Sequence, residues 1–169
     1  MLGIDPGSRF TGYGVVESQG SRLIHIDSGV IRAGTQASLE VRLLKIFSGL
    51  EAVLARHNPV AVAVESIPHA RNAQSALKLG HARGVALLVA ARAQLPLTEH
   101  NPMEVKKAIA GYGRADKDQV HAMVERLLGL TIDGPRDRSD ALAVAICHLH
   151  ARASLTRMGL LKDGPRRAS

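Results

Sequence analysis

Residues 2–18 read LGIDPGSRFTGYGVVES, and the fold follows from how that stretch divides. Leu2 to Asp5 is short and apolar, Pro6, Gly7 and Ser8 are turn residues, and Gly12 to Ser18 is strand-forming again, which gives strand, turn, strand. Gly20 and Ser21 mark a second turn, and Arg22 to Arg32 alternates as a third strand. The chain therefore opens as an antiparallel meander.

Beyond the meander the period changes. Leu39, Leu43, Ile46, Leu50, Val53 and Leu54 recur at threes and fours between Ser38 and His57, the buried stripe of an amphipathic helix that Pro59 ends. Val60 to Val64 (VAVAV) is a near-continuous apolar run, as a strand buried on both faces requires, and it terminates in Glu65. A long helix is predicted over Asn72 to Gln94, a short strand over Leu97 to His100, and helices over Met103 to Ala110, Lys117 to Leu130 and about Arg138 to Leu155. The order predicts an α/β fold with a mixed five-stranded sheet flanked by helices and antiparallel at one side. Residues 1–156 read as one domain without repeats or linkers, and residues 157–169 as a basic, disordered tail.

Composition narrows the class. The 169 residues are 46% hydrophobic but contain no Trp, two Tyr and two Phe, so the core must be aliphatic. Lys plus Arg number 22 against 15 for Asp plus Glu, a formal charge of +7 that suits a polyanionic partner. From Ser66 to Thr98 there is no Asp or Glu, while Arg71, Lys78, Arg83 and Arg92 are present, a one-sign stretch able to neutralise phosphates. The single cysteine, Cys147, excludes an internal disulfide and a multi-thiolate zinc site. No basic-then-apolar leader precedes the first strand and no apolar run approaches the roughly 20 residues of a membrane span, so the expectation is a soluble, cytoplasmic protein.

Four carboxylates stand out by position. Asp5 ends the first strand, where it also fits a turn aspartate bonding its own backbone. Glu65 closes an apolar strand, and a carboxylate there is costly to bury unless paired, protonated or bound to a cation. Asp137 and Asp140 are three apart and share a face if both lie on the first turn of the last helix. Acids there also complement a helix dipole, but the apolar ALAVAI that follows Asp140 turns its neighbourhood toward the sheet. Carboxylates held close together repel unless pKa values rise or divalent cations intervene, and an all-oxygen ligand set selects Mg²⁺ or Mn²⁺ over zinc. The eight histidines show no HExxH spacing, and His148 and His150 read as ordinary surface or core residues.

Three blocks then carry a resemblance: GIDPGSRFTGYGVV (3–16), NAQSALKLGHARGVA (72–86) after the strand-end Glu65, and DRSDALAVAICH (137–148). In this order and spacing they resemble the RuvC Holliday-junction resolvase family of the ribonuclease H-like superfamily, over nearly the whole chain. The resemblance implies a homodimer that binds four-way DNA junctions and nicks two opposed strands symmetrically with Mg²⁺ or Mn²⁺. It implies metal ligands at Asp5, Glu65, Asp137 and Asp140, active-site lysines at Lys106 and Lys117, and DNA contacts along His69, Arg71, Asn72, Lys78 and Arg83. The branch-migration proteins RuvA and RuvB are implied as partners. The chain departs from the family three residues past Glu65, where Pro68 replaces an aromatic that stacks on a junction base, leaving His69 to take over part of that stacking.

The mechanism expected on this basis has Asp5 bridging two ions roughly 4 Å apart, with Glu65 on one side and Asp137 and Asp140 on the other. Water attacks in line to leave a 5′-phosphate and a 3′-hydroxyl, and Lys106 or Lys117 stabilises the phosphoryl charge. Paired nicks need two such sites, and the small-residue face Ala76, Gly80, Gly84 is the candidate dimer contact, unless it packs on the sheet within one subunit. Two rival readings remain open: an actin- or sugar-kinase-like nucleotide-binding protein, suggested by the Asp-x-Gly-Ser hairpin, and a junction-binding protein without catalysis.

Overall fold

The computed structural model describes residues 1–66 and 73–160. Strands β1 (Leu2–Asp5), β2 (Phe10–Gln19) and β3 (Arg22–Arg32) are followed by α1 (Leu39–His57), β4 (Val62–Glu65), α2 (Ala73–Arg92) and β5 (Leu97–His100). Helices α3 (Pro102–Ala110), α4 (Lys117–Leu128) and α5 (Asp137–Arg157) complete the described chain. The five strands form one sheet in the order β3-β2-β1-β4-β5. β3, β2 and β1 pair antiparallel, whereas β1, β4 and β5 pair parallel. This is the mixed sheet expected from the sequence, with the meander as its antiparallel side.

The boundaries shift for local reasons. β2 starts at Phe10 because pairing with β3 extends to Phe10 opposite Arg32. β4 starts at Val62, since Val60 is 60% exposed and only from Val62 does the chain pair with both neighbours. α3 begins at Pro102, one residue early, because Asn101 and Glu104 form a reciprocal capping box that favours proline in the first turn. α4 stops at Leu128, where Gly129 takes a left-handed conformation. α5 runs through Arg157, so the helix takes in the first residue of the expected tail; residues 161–169 lie outside the described residues.

The sheet has an apolar layer on each face, and alternation along β4 shows how one strand serves both. Val62 and Val64 join Leu2, Ile4, Ile46, Leu50, Ala86 and Val89 beneath α1 and α2, while Ala63 joins Val105, Val124, Leu142 and Ile146 beneath α3, α4 and α5. α5 is buried continuously from Ala141 to Cys147 because the sheet covers one side of it and α3 and α4 another. The parallel β1–β4 pairing sets the ends of two central strands side by side, both at a carboxylate.

Candidate active site

Asp5 and Glu65 are the last residues of β1 and β4, and register pairing of Ile4 with Val64 makes those ends adjacent. Asp137 and Asp140 occupy the first turn of α5, whose helix lies across β1 and β2. The four acids meet. Burial raises the Asp5 carboxyl well above the ordinary range, and the charges of Glu65, Asp140 and Asp137 raise it further against the opposing pull of Lys117. Glu65 is also raised, by burial first and Asp140 next, while Lys117, a hydrogen bond with Asp5 and Lys106 hold it down. One proton shared between the strand-end pair is the arrangement that such a cluster favours when no cation balances it.

The close approach of α5 is written in glycines. A Cβ at Gly12 would lie 1.9 Å from the carbonyl oxygen of Asp137, and one at Gly3 would lie 2.2 Å from that of Ala141. Gly12 is the register partner of Asp5. Only a hydrogen at position 12 therefore lets the first turn of α5 settle beside Asp5. Within the sequence these glycines are strand and turn material; their spacing against the helix is a tertiary fact.

Further contacts fix that turn laterally. Arg138 Nε donates to Ser28 Oγ of β3 at 2.7 Å, and its other nitrogen reaches the Asp133 carbonyl at 3.3 Å. Ser28 is in turn 2.8 Å from His25 Nε2. The Ser139 hydroxyl donates to the Arg136 carbonyl at 2.9 Å, and Arg136 is ion-paired with Asp118 of α4. Arg138 carries no signal of its own in the sequence; its neighbours in DRSD do.

Both lysines come to the site. Lys117 is the first residue of α4, placed there by the capping box of Asp116 with Gln119, and its Nζ donates to Asp140 Oδ2 at 3.0 Å. That bond, together with the charges of Asp140, Asp5 and Glu65, raises the Lys117 pKa against a smaller opposing effect of burial. Lys106, half-buried on α3, is near enough to lower Glu65.

The donor set fits a hard divalent cation: oxygen donors only, partly buried, mutually repelling, with Asp5 held above its ordinary pKa by burial first and by the neighbouring carboxylates next. The side chains are gathered rather than closed into a coordination sphere, for among the described residues no three His, Cys, Asp or Glu groups are set to hold an ion as they stand.

The expected DNA contacts divide. His69, Arg71 and Asn72, like Pro68, lie outside the described residues. Lys78 is exposed on α2. Arg83 is bound to Glu99 of β5 by two hydrogen bonds of 2.7 and 2.6 Å, and Arg92 reaches Glu51 at 3.7 Å. The stretch free of acids in sequence is thus partly neutralised in space by carboxylates from other elements. On α2, Ala82, Ala86, Val89 and Ala90 pack on the sheet, while a Cβ at Gly84 would meet nothing within 4 Å. The Gly84 side of α2 faces outward and does not pack on the sheet. His148 is a core residue, its Nδ1 3.2 Å from His100 Nε2.

With this geometry in place, the sequence model of crossover junction endodeoxyribonuclease RuvC matches residues 1–148. A crossover junction endodeoxyribonuclease RuvC of Syntrophotalea carbinolica is 56% identical over 150 residues, covering 89% of this chain and 93% of that protein. The Acinetobacter baumannii protein of the same name is 48% identical over 161 residues, covering 95% of this chain and 88% of its own. Among solved structures, Thermus thermophilus RuvC in complex with a Holliday junction substrate superposes with a TM-score of 0.85 at 37% identity, over 95% of this chain and 96% of that one. The fold is accordingly ribonuclease H-like, and the nucleotide-binding alternative is set aside. This chain belongs to the RuvC family of crossover junction endodeoxyribonucleases.

Proposed function

We propose that the chain acts as a homodimer on four-way DNA junctions, cutting two opposed strands by Mg²⁺- or Mn²⁺-dependent phosphodiester hydrolysis to leave 5′-phosphate and 3′-hydroxyl ends. The observation that carries the reading is the convergence of Asp5, Glu65, Asp137 and Asp140 from three elements around one strand end, with Asp5 pushed well above its ordinary pKa by burial first and by the charges of the other three next. These four side chains would hold the ions, two being the number that suits in-line cleavage. Bound there, the metal supplies Lewis acidity and an activated water.

The remaining roles fall to the protein. Lys117 and Lys106 stabilise negative charge on the phosphoryl oxygens from the α4 and α3 sides. Gly12 and Arg138 keep Asp137 and Asp140 in place. His69, Arg71, Asn72 and Lys78 bind the junction backbone, and Arg83 joins them if DNA draws it from Glu99. Dimerisation is supported by α2, where Leu77 and Leu88 are 62% and 53% exposed and lie with Gly84 at spacings of seven and four, one apolar stripe on the outer face. RuvA and RuvB are the partners that family membership suggests.

Incubation of a synthetic four-way junction with Mg²⁺ tests the reading. Wild type is expected to place paired nicks, and Asp5→Asn to bind without cutting. Binding without nicking by both proteins would leave a junction-binding protein and remove the nuclease.

A further inference from the structure

One exposed aromatic stands on the same face of the sheet as the carboxylates. Side chains alternate along a strand, so Phe10, Gly12 and Gly14 of β2 share a face. That face is the α5 side, since Cβ atoms at Gly12 and Gly14 would strike Asp137 and Leu142. Their register partners on β3 are Arg32, Val30 and Ser28, and Ser28 confirms the side by bonding Arg138. Phe10 and Arg32 therefore lie two positions beyond Gly12, past the first turn of α5, where the helix no longer covers the sheet.

There Phe10 is 39% exposed, and the Arg32 guanidinium carbon lies over its ring, 5.8 Å from the centroid. Arg9 precedes Phe10 and is also exposed, and its carbonyl accepts from the Ala33 amide at 3.0 Å, which ties the turn to the end of β3. Arg42 of α1 donates to the Ser8 carbonyl in the same turn. Among the described residues no carboxylate forms an ion pair with Arg9 or Arg32. Burying a ring would better serve stability; this one is held at the surface by strand pairing, capped by a cation, and free of competing anions.

We propose that Phe10 and Arg32 form a nucleotide-binding platform, the ring taking a base or sugar of the DNA strand and the guanidinium an adjacent phosphate, on the β3 side of the carboxylates. It shares the α5 face of the sheet with α3 and α4, whose Lys106 and Lys117 lie near the carboxylates, so a strand reaching Asp5 would also meet Phe10 and Arg32. The proposal rests on the junction-nuclease reading and extends its footprint to the edge of the antiparallel meander.

The test is anisotropy of a fluorescein-labelled synthetic four-way junction, titrated with full-length protein in EDTA between about 50 and 200 mM salt. Arg32→Gln is expected to reduce the slope of log affinity against log salt by about one, as the loss of one phosphate contact does. Arg22→Gln, the same charge change at the far end of β3, is expected to leave the slope intact. Phe10→Ala and Phe10→Leu are expected to weaken binding about 5- to 100-fold at every salt concentration without changing the slope. Phe10→Leu keeps apolar bulk on the strand, so loss of the ring is separated from loss of fold, and thermal melting verifies both. An unchanged slope in Arg32→Gln, or affinity in both Phe10 variants within twofold of wild type, overturns the platform. Failure of the wild type to bind any junction overturns the underlying reading instead.

Discussion

Gly12 lies beneath Asp137: a methyl group on the strand would sit 1.9 Å from the carbonyl oxygen of the helix. The register partner of Gly12 is Asp5, so this contact sets the distance between the first and third segments of the carboxylate cluster. Gly12→Ala is expected to push the first turn of α5 off the sheet. The overpacking should lower stability by about 1–3 kcal/mol, and a displacement near 1 Å should lower nicking about 100-fold. Thermal melting and initial nicking rates check both. Unchanged nicking would show that α5 positions its acids independently of this contact.

Lys117 bonds Asp140 at 3.0 Å with its side chain 70% exposed, a geometry that contributes little to folding. Lys117→Met should therefore change stability by less than about 1 kcal/mol, while nicking at saturating Mg²⁺ falls about 100- to 1,000-fold through loss of a charge aimed at the phosphoryl group. A variant that melts early and cuts normally would reverse the assignment.

Asp5 carries a sign that metal removal exposes. Its folded pKa is raised, so it favours folding while protonated, and that contribution disappears as pH rises through the folded value. In EDTA near pH 7.5 Asp5→Asn is expected to melt above wild type, with the gap closing below the ordinary carboxylate range. Excess Mg²⁺ should raise the melting temperature of wild type and leave Asp5→Asn nearly unmoved. Equal Mg²⁺ shifts in the two proteins would remove Asp5 from the ligand set.

His148 titrates in the opposite sense. Burial, followed by the charges of His100, Arg152 and the N-terminus, pushes its pKa down to about 4 from 6.5. The neutral ring favours folding above pH 6.5, and this contribution drains away as pH falls toward 4. Urea melts of Asp5→Asn between pH 7 and 4.5 isolate the effect. Adding His148→Gln should flatten that acid slope; an identical slope would place the acid sensitivity elsewhere.

The outward stripe on α2 gives a test of assembly. Gly84 is open to solvent, so Gly84→Ala should be tolerated by the monomer and favour the helix by up to about 1 kcal/mol, whereas Gly84→Arg should dissociate a dimer formed through this face. Sedimentation velocity distinguishes the outcomes, and a Gly84→Arg dimer of wild-type affinity would move the interface to another surface.

Much of this protein is legible in its sequence. The meander, the alternating sheet and helix order, and the placement of Asp5 and Glu65 at strand ends follow from hydrophobic period and turn residues, which act over a few neighbours. Asp137 and Asp140 were legible as acids bordering a buried helix face, and the lysines only through family resemblance, because nothing local separates Lys106 or Lys117 from solvated helix surface.

What the tertiary structure decided are relations between segments far apart in the chain. That Gly12 admits Asp137, that Arg138 anchors on Ser28, that Glu99 neutralises Arg83, and that Phe10 and Arg32 share the carboxylate face all depend on which strand pairs with which and at what register. Local sequence fixes the period of an element and the chemistry of its side chains. Distances across the sheet come from packing a helix onto glycines more than a hundred residues away, and no window of neighbouring residues contains that information.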